Sequence, residues 1–101
     1  METHVIEIVT FKLNKDVSPE DFTERAKAMN AFIESCDGFV ARRLSRTLEG
    51  TWIDHVEWRT METALTAAAR IGKDLHAGPF MAAINGESVV MTHSMLEISV
   101  S

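Results

Sequence analysis

The nine residues TWIDHVEWR, positions 51–59, are the part of the chain from which the fold is best predicted. They are rich in β-branched and aromatic residues and follow a Glu-Gly turn signal, a combination typical of a strand that leaves a hairpin. Because side chains alternate between the two faces of a strand, Trp52, Asp54 and Trp58 share one face. The opposite face carries one isoleucine and three polar side chains, which suits a half-buried surface or a subunit contact.

The rest of the chain shows strand and helix patterns in a β-α-β-β-α-β order. Ser18-Pro19 is a helix start signal and Gly38 a helix stop signal. Strands are predicted at residues 4–13, 39–47, 51–59 and 88–100, helices at residues 19–36 and 61–71, and a short helical turn at residues 79–84. This order predicts a ferredoxin-like α+β fold, with a four-stranded antiparallel sheet and both helices on one face. Residues 1–101 are expected to form this single domain.

Composition excludes several classes of function. The net charge is −5 and the basic residues form no extended cluster, so neither nucleic acid nor an anionic membrane is an expected partner. No apolar run has the length of a membrane span and no signal peptide is evident, which favours a cytoplasmic protein. Cys36, the one cysteine, falls on the apolar stripe of the first helix and is expected to be a buried thiol.

The face of the sheet without helices is expected to be apolar. It would carry Ile6, Ile8, Ile53, Val90 and Leu96. An exposed apolar face of this extent usually marks an interface. We therefore expect a homodimer in which two such sheets pack face to face.

The pattern resembles the dimeric α/β-barrel superfamily over nearly the whole chain. The resemblance is carried by IEIVTFKL at residues 6–13, DGFVARRL at 37–44, DHVEWRTMETAL at 54–65 and HAGPFMAAI at 76–84. Two branches are similar to this chain: the antibiotic-biosynthesis monooxygenase type, and the stress-responsive Dabb type, which includes a polyketide cyclase. The resemblance implies a homodimeric barrel with a small-molecule pocket between the sheet and the helices of each subunit.

The chain departs from these relatives at positions that matter for chemistry. Glu7 stands directly before IVTFK, where Dabb proteins usually carry a histidine and heme-degrading relatives an asparagine. His76 lies four residues before Phe80, one residue earlier than the cyclase histidine would stand. The sequence contains no tyrosine, so a mechanism that uses a phenol as acid or base is excluded.

Glu7, His76 and His93 are the predicted catalytic residues. Glu7 and His93 share the predicted sheet–helix face with Asp54, and a carboxylate beside an imidazole can act as a base with an orienting partner. The alternative is a polar pair that only satisfies its own hydrogen bonds in the core. His76 lies in a connector between two glycines that can flex like a lid. Its alternative is an ordinary surface histidine.

The predicted substrate-binding residues are Trp52, Asp54, Trp58 and Phe80. The alternative for the two tryptophans is that they are aromatic residues of the core that contact no ligand. No metal-ligand spacing, glycine-rich phosphate loop or nucleophile motif is present, so no metal and no cofactor are expected. The sequence favours a cofactor-independent monooxygenase-like enzyme acting on a small aromatic or polyketide-like substrate. The alternatives are a Dabb-type cyclase or lyase, and a non-catalytic stress-responsive dimer that binds a ligand.

Overall fold

The computed structural model describes residues 3–101. The elements are β1 (Val5–Phe11), α1 (Pro19–Ala28), α2 (Asn30–Glu34), β2 (Phe39–Arg46), β3 (Trp52–Trp58), α3 (Met61–Ile71), α4 (Gly78–Ala83), a 3-10 turn (Gly86–Ser88) and β4 (Val90–Met95). The strands form one antiparallel sheet in the order β2-β3-β1-β4, which confirms the predicted ferredoxin-like α+β fold. No helix in the described part of the chain has the length and apolarity needed to cross a membrane.

The helices begin where the sequence predicts because their first turns are capped by side chains. The Ser18 hydroxyl accepts a hydrogen bond from the Asp21 backbone N–H at 3.1 Å, and Pro19 occupies the first helical position. Thr60 and Thr63 form a reciprocal capping box at the start of α3. These caps satisfy backbone N–H groups that have no partner within the helix.

Gly38 is required at the junction between α2 and β2 for two reasons. Its φ angle is +79°, a region that residues with a side chain rarely adopt. A Cβ atom at this position would also lie 2.3 Å from Thr63 Oγ1, which is well inside contact distance. The glycine therefore lets the start of α3 lie directly against the chain that enters β2.

The predicted first helix is divided into α1 and α2, and its apolar stripe is buried as expected. Phe22, Ala26, Met29, Ile33 and Cys36 all lie in the core. Burial raises the pKa of the Cys36 thiol above its ordinary value. The expectation of a buried thiol is thus confirmed.

The predicted last strand is too long at its C-terminal end, because β4 stops at Met95 rather than continuing to Val100. Just beyond the paired ends of β1 and β4, the Leu96 N–H donates a hydrogen bond to the His4 carbonyl oxygen at 2.9 Å. Within residues 3–101, no strand pairs with residues 97–100, so their strand pattern is not realised as a strand.

Strand pairing assigns each side chain of β1 and β3 to a face. Val5, Glu7, Phe11 and their cross-strand partners on β3 face the helices and are buried. Ile6, Ile8 and Ile53 occupy the opposite face and are half-buried, while Val90 on the edge strand is exposed. The predicted assignment of the two faces is confirmed for these strands.

Candidate functional site

A cavity of about 350 Å³ lies between the sheet and the helices. Its walls are almost entirely apolar, and the two charged side chains among them are Glu7 from β1 and Asp54 from β3. The remaining walls come from α2, α3, α4, the segment before β4 and strands β1, β3 and β4, with Phe32, Trp58, Ile71, Phe80 and Met91 among the larger contributors. A concave apolar site with a few converging polar groups is the usual form of a small-molecule pocket.

The mouth of the cavity is the side at which its lining residues reach the surface. Five lining residues are also exposed: Ala68, Met81, Gly86, Val89 and Met91. Ala68 lies on α3, and the other four lie on α4, before β4 and on β4, which is an edge strand. The cavity therefore opens beside the free edge of the sheet.

Glu7 and His93 form a hydrogen-bonded pair at the cavity wall. They are directly opposite each other on β1 and β4, and His93 Nε2 lies 2.8 Å from Glu7 Oε2. Both side chains are largely buried, and Glu7 lines the cavity whereas His93 does not. The imidazole thus holds a carboxylate that itself borders the cavity.

Asp54 is bound by an arginine that the sequence reasoning did not select. Arg42 donates two hydrogen bonds to the Asp54 carboxylate, at 2.9 Å from Nε and 2.7 Å from Nη2. Each side chain is only 8% exposed. Arg42 also donates to the Ala26 carbonyl and to Asn30 Oδ1, both at 3.2 Å. Asp54 therefore pairs with Arg42 rather than with Glu7 or His93.

A β-bulge explains why Arg42 was missed. The pairing between β2 and β3 shifts between Phe39 and Ala41, so that Ala41 is opposite Glu57 and Arg42 is opposite the buried Val56. Strict alternation from Phe39 would place Arg42 on the outer face, but the extra residue of the bulge turns it inward. No turn signal in the sequence marks this bulge.

Trp58 contributes a buried hydrogen-bond donor without a partner. The residue is 2% exposed and lines the cavity. Among the described residues its indole Nε1 is the one buried side-chain nitrogen or oxygen with no hydrogen bond. Leaving such a group unpaired costs about 1–3 kcal/mol, which an acceptor atom of a ligand would relieve.

Phe80 lies where a substrate contact is expected, in the wall of the cavity and in the core. Its ring stacks on that of Phe22 with centroids 5.0 Å apart, and the Arg42 guanidinium lies 5.2 Å from its centroid. Phe80 thus connects the cavity wall to the Arg42–Asp54 pair. The rigid packing on both sides fixes its orientation toward the cavity.

Two predicted site residues lie outside the cavity. Trp52 packs edge-to-face on Phe22 with centroids 4.8 Å apart, so it belongs to the core at the other end of the sheet. The His76 side chain is 63% exposed and its Nδ1 lies 3.4 Å from Asp74 Oδ1. The Asp74 carboxylate also accepts the His76 backbone N–H at 2.8 Å. The expectation that His76 shares a cavity with Glu7 and Trp58 is therefore wrong for this structure.

Within residues 3–101, no group of three or more His, Cys, Asp or Glu side chains is arranged to hold a metal ion. The polar groups of the cavity wall are two carboxylates and one indole N–H, and the carboxylates are hydrogen-bonded to an imidazole and a guanidinium that do not line the cavity. They are able to accept a proton, to hold that acceptor in place and to donate a hydrogen bond to an oxygen atom.

Comparison with known proteins finds solved structures that share the fold at low sequence identity. No protein-family model matches the chain, and no curated protein matches it significantly. SnoaB from Streptomyces nogalater, a cofactor-independent oxygenase, is similar over 98% of this chain and 96% of its own, with a TM-score of 0.70 and 19% identity. A protein from Bordetella bronchiseptica that bears the name antibiotic biosynthesis monooxygenase covers 96% and 100%, with a TM-score of 0.80 and 13% identity.

A third similar structure is a dimeric ferredoxin-like protein of unknown function from Thermobifida fusca. It covers 95% of this chain and 93% of its own, with a TM-score of 0.72 and 9% identity. At these identities the likeness concerns the fold. The resemblance to antibiotic-biosynthesis monooxygenase-like proteins that the sequence predicts is confirmed at that level.

Proposed function

We propose that this chain binds a planar, largely apolar molecule in the cavity and acts on it as a cofactor-independent oxygenase. The observation that carries the proposal is the Glu7 carboxylate, hydrogen-bonded to His93, in the wall of a cavity that is otherwise mostly apolar. The fold shared with SnoaB, which is described as a cofactor-independent oxygenase, supports the same reaction class.

In this proposal Glu7 is the base. It removes a proton from a methylene group that is acidified by neighbouring carbonyl or aromatic groups, and the resulting anion is delocalised over the substrate. His93 is a positioning residue, because it fixes the carboxylate and shares the proton that Glu7 receives. A base placed in this way contributes about 10²–10⁴-fold to the rate.

Trp58 stabilises the anion. Its unpartnered N–H donates to the substrate oxygen on which negative charge accumulates. Such a bond is stronger in a cavity that excludes water, because the local dielectric constant is low. Phe80 and Asp54, which line the same cavity, are the further proposed substrate contacts.

Dioxygen is the second substrate and accepts electrons directly from the anion. One electron passes from the carbanion to O₂, and the two radicals recombine to a hydroperoxide that takes up a proton. Loss of water then converts the former methylene into a carbonyl. One oxygen atom enters the product and the other leaves as water, so the reaction needs no further reductant.

The function is tested with anthrone, a planar ketone with an acidic methylene, added to the purified protein in the presence of a metal chelator. We expect saturable quenching of tryptophan fluorescence, oxygen uptake equal to the substrate consumed, and one ¹⁸O atom per product from ¹⁸O₂. Binding without oxygen uptake would favour the non-catalytic ligand-binding dimer. Absence of binding would overturn the proposal. A cyclase that uses His76 has no support, because His76 lies on the surface.

Replacing Trp58 by phenylalanine should weaken binding of the aromatic ketone by about 5- to 150-fold, equivalent to about 1–3 kcal/mol, because the N–H donor is lost. Titration calorimetry measures the change in affinity without relying on tryptophan fluorescence. Trp52→Phe is the matched control, since Trp52 does not line the cavity. Equal affinities for the two variants would show that the indole N–H of Trp58 makes no contact with the ligand.

We further propose a homodimer formed through the helix-free face of the sheet. Half-buried Ile6, Ile8 and Ile53 form an apolar centre on that face, and a structural neighbour is a dimeric ferredoxin-like protein. Ile8→Lys should give a monomer in sedimentation analysis, because it places an unpaired charge in a dry interface. Leu48→Lys, at an exposed hairpin tip, is the control and should leave the dimer intact. A wild-type monomer would contradict this assembly.

A further inference from the structure

We propose that a second groove, separate from the cavity, binds a small organic anion in which a phosphate or carboxylate group is attached to an apolar body. The groove lies between the segment that follows β1, residues 12–19, and the end of the β2–β3 hairpin, residues 46–52. We call it the basic groove. The proposal does not depend on the function proposed for the cavity.

The charge of the basic groove is opposite to that of the chain as a whole. The groove has a volume of about 610 Å³, and three of the ten lysines and arginines line it, namely Lys12, Lys15 and Arg46. No aspartate or glutamate of the described chain lines it, although the net charge is −5. The cavity has the reverse character, because its charged lining residues are Glu7 and Asp54. An anion is therefore attracted to the groove and disfavoured in the cavity.

The three cations of the groove are available to a ligand. None of the six ion pairs formed within residues 3–101 includes Lys12, Lys15 or Arg46. Asp16 and Glu49 belong to the same loops, but both are exposed and neither lines the groove. Positive charges gathered on one concave surface without a partner raise the local potential, which an anion would lower.

An apolar wall lies beside the charges. Leu13, Val17 and Trp52 line the groove, and the Arg46 guanidinium lies 5.5 Å from the centre of the Trp52 ring. Arg46 is opposite Trp52 in the pairing of β2 with β3, so the bulge that turns Arg42 inward also places Arg46 on the helix-facing side. An anion held by Arg46 would thus lie next to a surface that can receive an apolar body.

Both sides of the groove are fixed by hydrogen bonds within the chain. In the loop that carries the two lysines, the Asn14 backbone N–H donates to the Ala83 carbonyl at 2.9 Å, and its side-chain amide donates to the Ala82 carbonyl at 3.0 Å. In the hairpin, the Thr47 N–H donates to the Thr51 carbonyl at 2.8 Å, and the Thr51 N–H donates to Thr47 Oγ1 at 3.0 Å. A groove built in this way needs little ordering when a ligand binds.

The groove selects a small anion rather than a polyanion. Its three cations form one local cluster, and the negative net charge of the chain would repel an extended polymer of negative charge. Arginine presents a planar fork of N–H donors that matches the oxygens of a phosphate or a carboxylate. Phenyl phosphate combines such a group with a planar apolar body and is therefore the probe.

Calorimetric titration with phenyl phosphate tests the site. We expect saturable binding that weakens as the salt concentration rises, because exposed charges are screened. Inorganic phosphate should bind more weakly, because it has no apolar body to bury. Lys15→Gln/Arg46→Gln should weaken the binding of phenyl phosphate at least about tenfold. Arg59→Gln/Lys73→Gln removes two exposed cations that do not line the groove, and this control should bind as the wild type does.

Fluorescence locates the bound anion. In Trp58→Phe the remaining tryptophan is Trp52, whose emission should change on titration with phenyl phosphate, because the anion binds the guanidinium that lies over its ring. Anthrone, the ligand proposed for the cavity, should not displace phenyl phosphate.

Four results would overturn the inference: no saturable binding, equal affinity for inorganic phosphate, equal loss of affinity in the two double variants, or displacement by anthrone. The first three leave the proposed function standing, because none of the residues changed in the double variants lines the cavity. Failure of anthrone to bind or react has the opposite meaning, because the proposed function then fails while the anion site is judged by phenyl phosphate alone.

Discussion

Replacing Arg42 by methionine should lower the free energy of unfolding by about 3–5 kcal/mol, because it leaves a buried carboxylate without its partner. Asp54 receives two hydrogen bonds from Arg42 and its side chain is 8% exposed, so bulk water is a poor replacement for the guanidinium. The change also removes the donor to the Ala26 carbonyl, which ties α1 to β2. Urea unfolding followed by circular dichroism measures the effect.

Two further variants separate the charge effect from lost packing. Arg42→Met/Asp54→Leu should recover most of the lost stability, because a buried ion pair replaced by apolar residues is often neutral. Arg59→Met, at an exposed arginine just after β3, should change stability by no more than about 0.5 kcal/mol. If the double variant is as unstable as Arg42→Met alone, the unpaired Asp54 charge is not the cause.

Replacing Glu7 by glutamine should reduce the rate of substrate oxidation by about 10²–10⁴-fold while ligand affinity changes only a few-fold. Glutamine has the same shape and retains a hydrogen-bonding oxygen for His93, but it cannot accept the substrate proton. Oxygen uptake under saturating substrate gives the rate, and calorimetry gives the affinity. The two measurements together distinguish a catalytic role from a structural one.

Glu57→Gln is the matched control for this experiment. Glu57 also pairs with a histidine, His4, but on the helix-free face of the sheet. The variant should therefore oxidise substrate at the wild-type rate once its dimeric state has been verified. If Glu7→Gln and Glu57→Gln oxidise substrate at the same rate, the Glu7–His93 pair only satisfies its own hydrogen bonds in the core, and the enzyme proposal fails.

Much of this fold is encoded locally and was accessible from the sequence. The alternation of TWIDHVEWR places Trp58 and Asp54 inward because successive side chains of a strand point to opposite faces. Ser18 and Thr60 mark the helix starts because their hydroxyls reach N–H groups only three residues away. The pairing of Glu7 with His93 also follows from alternation, once β1 and β4 are adjacent.

Features that depend on contacts between distant segments required the tertiary structure. Trp52 and Trp58 share a face, yet only Trp58 reaches the cavity, because Phe22 from α1 covers Trp52. His76 lies on the surface beside Asp74, and the two glycines that flank its connector do not reveal this position. The alternation of side chains along one strand cannot show which helix covers each of them.

The two remaining differences have one physical origin, which is that strand pairing involves two segments and cannot be read from one. Arg42 faces inward because the pairing of β2 with β3 contains a bulge, and it thereby becomes the partner of Asp54. β4 ends at Met95, one residue before the backbone hydrogen bond from Leu96 to His4, although the pattern of residues 96–100 continues as a strand. Local alternation predicts which residues can form a strand, whereas its length, register and bulges are set by the neighbouring strand.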